Sequence, residues 1–262
     1  MTLLGPSEGE VGTMAWIHDA GPDPVPPRLL DRIMYLGVPS TGPDGAYLPP
    51  AHEGPQAYLA VQGAQVAEIP THFHSVEQFQ YVVAGSGVIG GRPVEGGVVH
   101  YADRFTPYGP LCAGPLGMTY ATLRPSHDTG AFVMPAARHR LAGLLAASTR
   151  PAEDRRQHTI DLREPTGTAQ EAAPSDWTDL EQAADGFRIA VIGVPAHAAA
   201  PPLTVGGSGA YVLVVRGAID DVGGPYEAGS ITWRAAGDPV RIHASAGGAR
   251  LALLQFPLAA AD

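Results

Sequence analysis

The sequence predicts an all-β chain folded as two jelly-roll-like barrels joined by a short helical linker. Three observations carry this prediction. Glycine (33) and proline (26) punctuate a chain of 262 residues, which favours many turns over long helices. Apolar runs of strand length recur between those turns on both sides of one Leu/Ala-rich segment. The runs before that segment also resemble the runs after it. The length suits two domains of about 100–150 residues each. Hydrophobic residues make up 45% of the chain and charged residues 16%, enough apolar material for buried cores and too little charge for a disordered chain.

Residues 1–50 are rich in proline and glycine and contain one apolar piece, RLLDRIMYLGV. They are expected to form an arm that partly covers the first domain. From about residue 57 the segments AYLAVQGAQVAEI, QFQYVVAGSGVIG, GGVVHYADRFTP and GMTYATLRP each read as a strand bounded by Gly or Pro. Their near-even spacing points to a sandwich or barrel. The Gly85-Ser86-Gly87 step follows a strand with no helix after it and lacks a phosphate-loop pattern, so it reads as a tight hairpin turn. ARHRLAGLLAAS, from Ala137 to Ser148, has helical periodicity. A polar, proline-containing stretch follows, which places the domain boundary between 1–148 and 149–262. GFRIAVIGVPA, AYVLVVRGAIDDV, GSITWRAAG and ARLALLQFPL then supply a second set of strands.

The two halves compare as repeats. YVVAGSGVIGG in the first corresponds to YVLVVRGAIDD in the second. Aligning Gly85 with Gly217 pairs His72 with Thr204, His74 with Gly206 and Gln78 with Ala210. The second copy keeps the scaffold and lacks the polar residues.

Composition also narrows the partners. Acidic residues outnumber basic ones by 26 to 16, for a formal net charge of −10, and nothing reads as a basic groove for nucleic acid. No apolar run reaches the roughly 18–20 residues of a membrane span. The N-terminus lacks the basic start and apolar core of a signal peptide, and the single cysteine, Cys112, excludes an internal disulfide. A soluble cytoplasmic protein that binds a small molecule is expected.

The chemistry concentrates in THFHSVEQFQ, residues 71–80. Residues two apart in a strand share a face, so His72 and His74 project together and suit two adjacent positions on a metal ion such as Fe, Zn, Mn or Ni. A surface pair of histidines is the plain alternative. The segment resembles the first motif of the cupin superfamily, G-x5-H-x-H-x3,4-E-x6-G. Gly85 falls seven residues after position 78, as that motif asks of the residue after its glutamate. Position 78 is Gln rather than Glu, and Gly63 lies nine residues before His72. The second cupin motif, G-x5-P-x-G-x2-H-x3-N, is met by Pro107-Tyr108-Gly109, with Cys112 at the histidine place and Tyr101 at the first glycine. Gly229, Ala235, Gly237 and Val240 follow the same frame in the second half, so the chain resembles a bicupin.

The resemblance implies a metal held by His72, His74 and Gln78, the last through its amide oxygen. If the histidines face the interior, strand parity carries Gln78 and Gln80 inward and Glu77 outward. A Gln in place of the acid leaves the full charge on a divalent ion, binding it less tightly and making it a stronger Lewis acid that welcomes an anionic oxygen. The usual iron site needs two histidines and a carboxylate.

Other side chains carry two readings each. Cys112 either joins the site as a thiolate or substrate contact, or packs as a small apolar residue. His100 either serves as a proton carrier or is held by Asp103 for structure. Tyr120, Thr122 and Arg124 alternate by two and share one face; if it is the inner face, Tyr120 and Arg124 act on an anionic substrate. Tyr108, at the P-x-G turn, and Gln80 are expected substrate contacts. No role is expected for His127, His139, His158, His197 or His243.

The functional expectation is a metal-dependent bicupin acting on a small oxygen-rich organic molecule, with dioxygenase-like chemistry ahead of isomerisation or lyase chemistry. The alternative is a cupin that binds a small molecule without turnover. The resemblance further implies a homodimer paired through sheet edges.

Overall fold

A computed structural model describes residues 2–3, 11–14, 30–36, 54–64, 68–128, 130–148, 155–163, 176–221 and 224–259. The strands in the first half are β1 (Thr2–Leu3), β2 (Val11–Met14), β3 (Leu30–Leu36), β4 (Gln56–Gln62), β5 (His72–Phe73) and β6 (Gln78–Ile89). They continue with β7 (Arg92–Glu95), β8 (Val98–Ala102), β9 (Leu111–Arg124) and β10 (Phe132–Val133), followed by helix α1 (Arg138–Ala147) and β11 (Gln157–Asp161). The second half holds β12 (Thr178–Gln182), β13 (Arg188–Val194), β14 (Leu203–Thr204), β15 (Ala210–Asp221) and β16 (Gly224–Glu227). It ends with β17 (Ile231–Arg234), β18 (Pro239–Val240) and β19 (His243–Gln255). The chain is mostly β, with two separate sheet systems. Among the described residues no helix is long and apolar enough to cross a membrane.

The chain divides into two compact units, Pro6–Ile160 and Asp161–Ala259 with Met1–Gly5. In the first, the sheet runs β11-β8-β6-β9-β4-β3-β2, with β7 paired to β6 and a short β10-β5 sheet beside it. In the second, the sheet runs β1-β17-β15-β19-β13-β12, with β16 paired to β15 and a short β14-β18 sheet. The apolar piece expected in the arm supplies β3, which pairs with β4. The rest of that arm, and most of the polar stretch after α1, lie outside the described residues.

The two halves repeat strand by strand. β6 and β15 each span twelve residues, beginning at Gln78 and Ala210. Each pairs with a long strand, β9 or β19, and each pairing shifts register at a glycine. Gly85 and Gly217 both adopt a φ of 76°. A Cβ on Gly85 would lie 2.2 Å from the Gly117 carbonyl oxygen, and one on Gly217 would lie 2.0 Å from that of Gly248.

These contacts correct the expected hairpin turn at residues 85–87. That step lies inside β6, where the register with β9 shifts between Gly85 and Gly87; the reversal into β7 comes at Gly90-Gly91. The glycines are needed because the strand bends against backbone, with a Cβ on Gly87 falling 2.3 Å from the Cys112 carbonyl oxygen. Gly85→Ala is therefore expected to destabilise the N-terminal unit by about 2–4 kcal/mol through left-handed backbone strain and the clash with Gly117. Urea unfolding followed by circular dichroism measures it, and a loss under about 0.5 kcal/mol would contradict the packing described.

Helix α1 forms from mostly strong helix formers, the Ala, Leu and Arg of RHRLAGLLAA. Ala137 and Leu141 pack against Phe73 and Phe132, whose rings stack at 5.0 Å. This cluster orients the site: with Phe73 fixed on the helix side, its neighbours His72 and His74 turn to the opposite face.

Candidate functional site in the N-terminal barrel

The polar interior of the first unit is lined by Tyr58, His72, His74, Gln78, Gln80, Tyr108, Tyr120, Thr122 and Arg124, with Ala60 and Ile69 completing it. β4 contributes Tyr58 and Ala60, β6 contributes Gln78 and Gln80, and β9 contributes Tyr120, Thr122 and Arg124, each set spaced by two. His72 is held between two neighbours. Its backbone exchanges hydrogen bonds with Tyr108 at 3.0 and 2.9 Å, and it pairs with Val133 on β10. The space these side chains enclose is about that of one water-sized group, so a larger ligand requires the lining to part.

Both imidazoles are fixed through Nδ1. His72 Nδ1 donates to the Pro70 carbonyl at 2.7 Å, leaving Nε2 to accept from the Tyr108 hydroxyl at 2.8 Å. The Gln78 amide nitrogen donates to the same hydroxyl. His74 Nδ1 donates to Asp128 Oδ2 at 2.7 Å. The two rings stand edge to face, with centroids 5.1 Å apart. Burial, then His74 and Arg124, lower His72 from 6.5 to about 3, so it is neutral. Burial raises the Tyr108 phenol well above its ordinary value, so it is a hydroxyl and not a phenolate.

Arg124 lies beside them, 1% exposed. Its Nε and Nη2 donate to Gln78 Oε1 at 3.1 and 3.0 Å. Its Nη1 donates to Gln56 Oε1 at 2.7 Å and lies 3.3 Å from Asp128 Oδ2. Nη2 sits 3.2 and 3.5 Å from the two nitrogens of His74. Asp128, fully buried, also accepts from the Ser75 backbone and hydroxyl and from the Gly130 amide. Burial alone would raise the Asp128 carboxyl. The charges of Arg124 and His74, with the hydrogen bonds from His74 and Ser75, outweigh it and hold the carboxyl well below the ordinary range.

One lining group stands apart. Gln80 is 3% exposed and its Oε1 has no hydrogen-bond partner. Opposite it on β8 is His100, outside the immediate lining, whose Nδ1 meets Thr159 Oγ1 at 2.9 Å and whose Nε2 is likewise unpartnered. Burial, then Arg92 and His158, lower His100 to about 4. The partner considered for His100 was Asp103; that carboxylate instead binds Tyr101 and Arg156. Glu77 faces Arg104 at 4.0 Å, away from the cavity. Cys112, expected as a substrate contact, is not in the lining: it is partly exposed, and its Sγ points at Glu68 Oε2 at 3.7 Å. Leu111 occupies the inner face of β9 there, fully buried, which turns its neighbour Cys112 out.

Sequence reasoning did not single out Gln56, Tyr58 or Asp128. The two on β4 carried a usable signal, since QAYLAVQ places polar residues on the face that Ala60 shows to be internal. Asp128 carried none, because it lies beyond the strand in a loop segment.

The donor set tests the metal implied by the resemblance. Nδ1 anchoring of two imidazoles is what metal-binding histidines show. The remaining donors do not fit a divalent ion. The Gln78 amide oxygen already accepts twice from a guanidinium, and the one carboxylate in contact, Asp128, is shared by His74 and Arg124. Among the described residues no three His, Cys, Asp or Glu side chains converge to hold a metal.

In the second unit the corresponding interior is apolar, with Ile192, Val212, Val214, Leu251 and Leu253 in its core. Gln255, paired with Arg188 and Ala210, stands where Arg124 stands opposite Gln56. Its amide accepts from Gly206 N–H at 2.8 Å and donates to the Gly186 carbonyl at 2.5 Å.

No protein-family model matches the chain, and no curated protein matches it. Solved structures do. One is a protein of Nostoc punctiforme provisionally described as a dioxygenase, 11% identical, with 99% of this chain and 80% of that chain covered and a TM-score of 0.58. Another is procruciferin, an 11S globulin of Brassica napus, at 10% identity, 98% and 85% coverage and a TM-score of 0.56. A variant of the Bacillus subtilis oxalate decarboxylase follows at 12% identity, 97% and 80% coverage and a TM-score of 0.50. The chain shares the fold of these structures, the cupin fold with two barrels in one chain.

Proposed function

We propose that the N-terminal barrel binds a small oxygen-rich organic molecule in its polar interior. One observation carries this reading: Gln80 presents a buried, unpartnered amide oxygen to a cavity whose imidazole and guanidinium groups are held by hydrogen bonds. A buried acceptor without a partner costs about 1–3 kcal/mol, and a ligand hydroxyl donating to Oε1 recovers it. The neighbouring Tyr120 and Thr122 hydroxyls and the His74 ring extend the polar wall a ligand would meet. Thermal-shift measurements and calorimetry with a panel of hydroxy acids, β-diketones and catechols test the reading. At least one compound is expected to raise the melting temperature. Gln80→Leu is expected to weaken its binding about tenfold or more, and Gln255→Leu in the second barrel to leave binding unchanged. A panel with no binder, or equal loss in both variants, contradicts it.

A second reading is metal-dependent, dioxygenase-like turnover on His72, His74 and Gln78. The Nδ1 anchoring of both imidazoles favours it, and the engagement of Gln78 by Arg124 weighs against it. Oxygen uptake with the same compounds, in protein supplied with ferrous iron, separates the two.

A further inference from the structure

The misfit between the donor set and a divalent ion has a specific cause, the buried guanidinium. We infer that Arg124 is the resident cation of the N-terminal barrel, holding by hydrogen bonds and charge the place a metal ion would take, so that the site meets its ligand without a metal. The inference takes the small-molecule site proposed above as its ground.

Five observations converge on it. The guanidinium binds the amide oxygen that a metal would require, through two N–H groups at 3.1 and 3.0 Å. It lies 3.2 and 3.5 Å from the nitrogens of His74, so an ion ligated by His74 would be pressed against a full positive charge in a water-poor interior, where repulsion is poorly screened. It is clamped from behind by Gln56 and Asp128, which keeps it from swinging aside. Among the described residues the cavity lining provides no carboxylate to offset two further charges: Asp128 beside it is already paired with Arg124, and Glu77 faces Arg104. A buried charge without a counter-charge is strongly disfavoured. The remaining lone pair of His72 is taken as well, by the Tyr108 hydroxyl, so the cradle is satisfied within the protein.

Elemental analysis of protein grown in metal-replete medium and purified without a nickel column tests this. Below about 0.1 ion per chain is expected, with no change in melting temperature on adding chelator or Zn(II), Fe(II), Mn(II) or Ni(II). About one ion per chain, lost in His72→Ala, overturns the inference. The double variant Arg124→Met/Asp128→Asn removes both charges and frees Gln78. When folded it is expected to bind at least one of these ions about tenfold more tightly than the wild type, and a folded double variant with no gain also overturns the inference. If that variant does not fold, the wild-type ion content and its comparison with His72→Ala still decide. The two readings fail separately. Ligand binding that needs one ion per chain overturns the resident cation and spares the small-molecule site, whereas metal-free protein that binds nothing in the panel does the reverse.

Discussion

Arg124→Met is expected to destabilise the N-terminal barrel by about 3–5 kcal/mol, the largest effect of any single substitution considered. Both Arg124 and Asp128 are essentially inaccessible, at 1% and 0% exposure. Removing the cation strands the carboxylate in the interior, and the Gln56 and Gln78 amide oxygens lose their donors together. Asp128→Asn in the same chain is expected to restore a large part of the loss, because a neutral amide no longer demands a counter-charge. Chemical denaturation of the wild type, both single variants and the double variant gives the coupling directly. Equal, additive losses would show that the pair acts only by filling space.

Acidification is expected to destabilise the protein from pH 6.5 downward, before ordinary carboxylates begin to titrate. His72 and His100 are held neutral in the folded chain, at about 3 and about 4, against 6.5 when unfolded. Between those limits the unfolded chain takes up protons that the folded chain refuses, so stability rises with pH and is lost as pH falls. The two imidazoles together account for a loss on the order of 5 kcal/mol by pH 4. Asp128 acts in the same direction lower on the scale. Its folded carboxyl is depressed, so the stability it contributes is present above the ordinary carboxylate value and lost as pH falls below it. Calorimetric melting across pH 7 to 4 measures the slope, and a flat profile would mean that the two rings are hydrated in solution.

Alternation made most of the architecture legible before any coordinates. The strands β6 and β15 could be aligned through Gly85 and Gly217 because the same backbone bend demands glycine at both places. A period of two grouped His72 with His74, Gln78 with Gln80, and Tyr120 with Arg124 on shared faces, and left open which face is internal. What the sequence withheld were the partnerships. Arg124 meets Gln56 across 68 residues, and His74 meets Asp128 across 54; no local period encodes a hydrogen bond between a loop carboxylate and a ring just beyond a distant strand. The turn at residues 85–87 was misread because a glycine-rich step looks the same whether the chain reverses or only bends past a neighbour. Cys112 was misplaced because β9 shifts register against β6 between that end and the polar interior, which uncouples the two faces.

The carboxamide of Gln255, lodged against Gly206, turns the C-terminal barrel into a blank chassis. Its strands match the registers of the N-terminal half, with Gly206, Ala210 and Gln255 at the stations of His74, Gln78 and Arg124. An engineer can therefore write new chemistry into it by exchanging a few inward side chains, leaving every loop alone and keeping the native site in the same molecule as a built-in control.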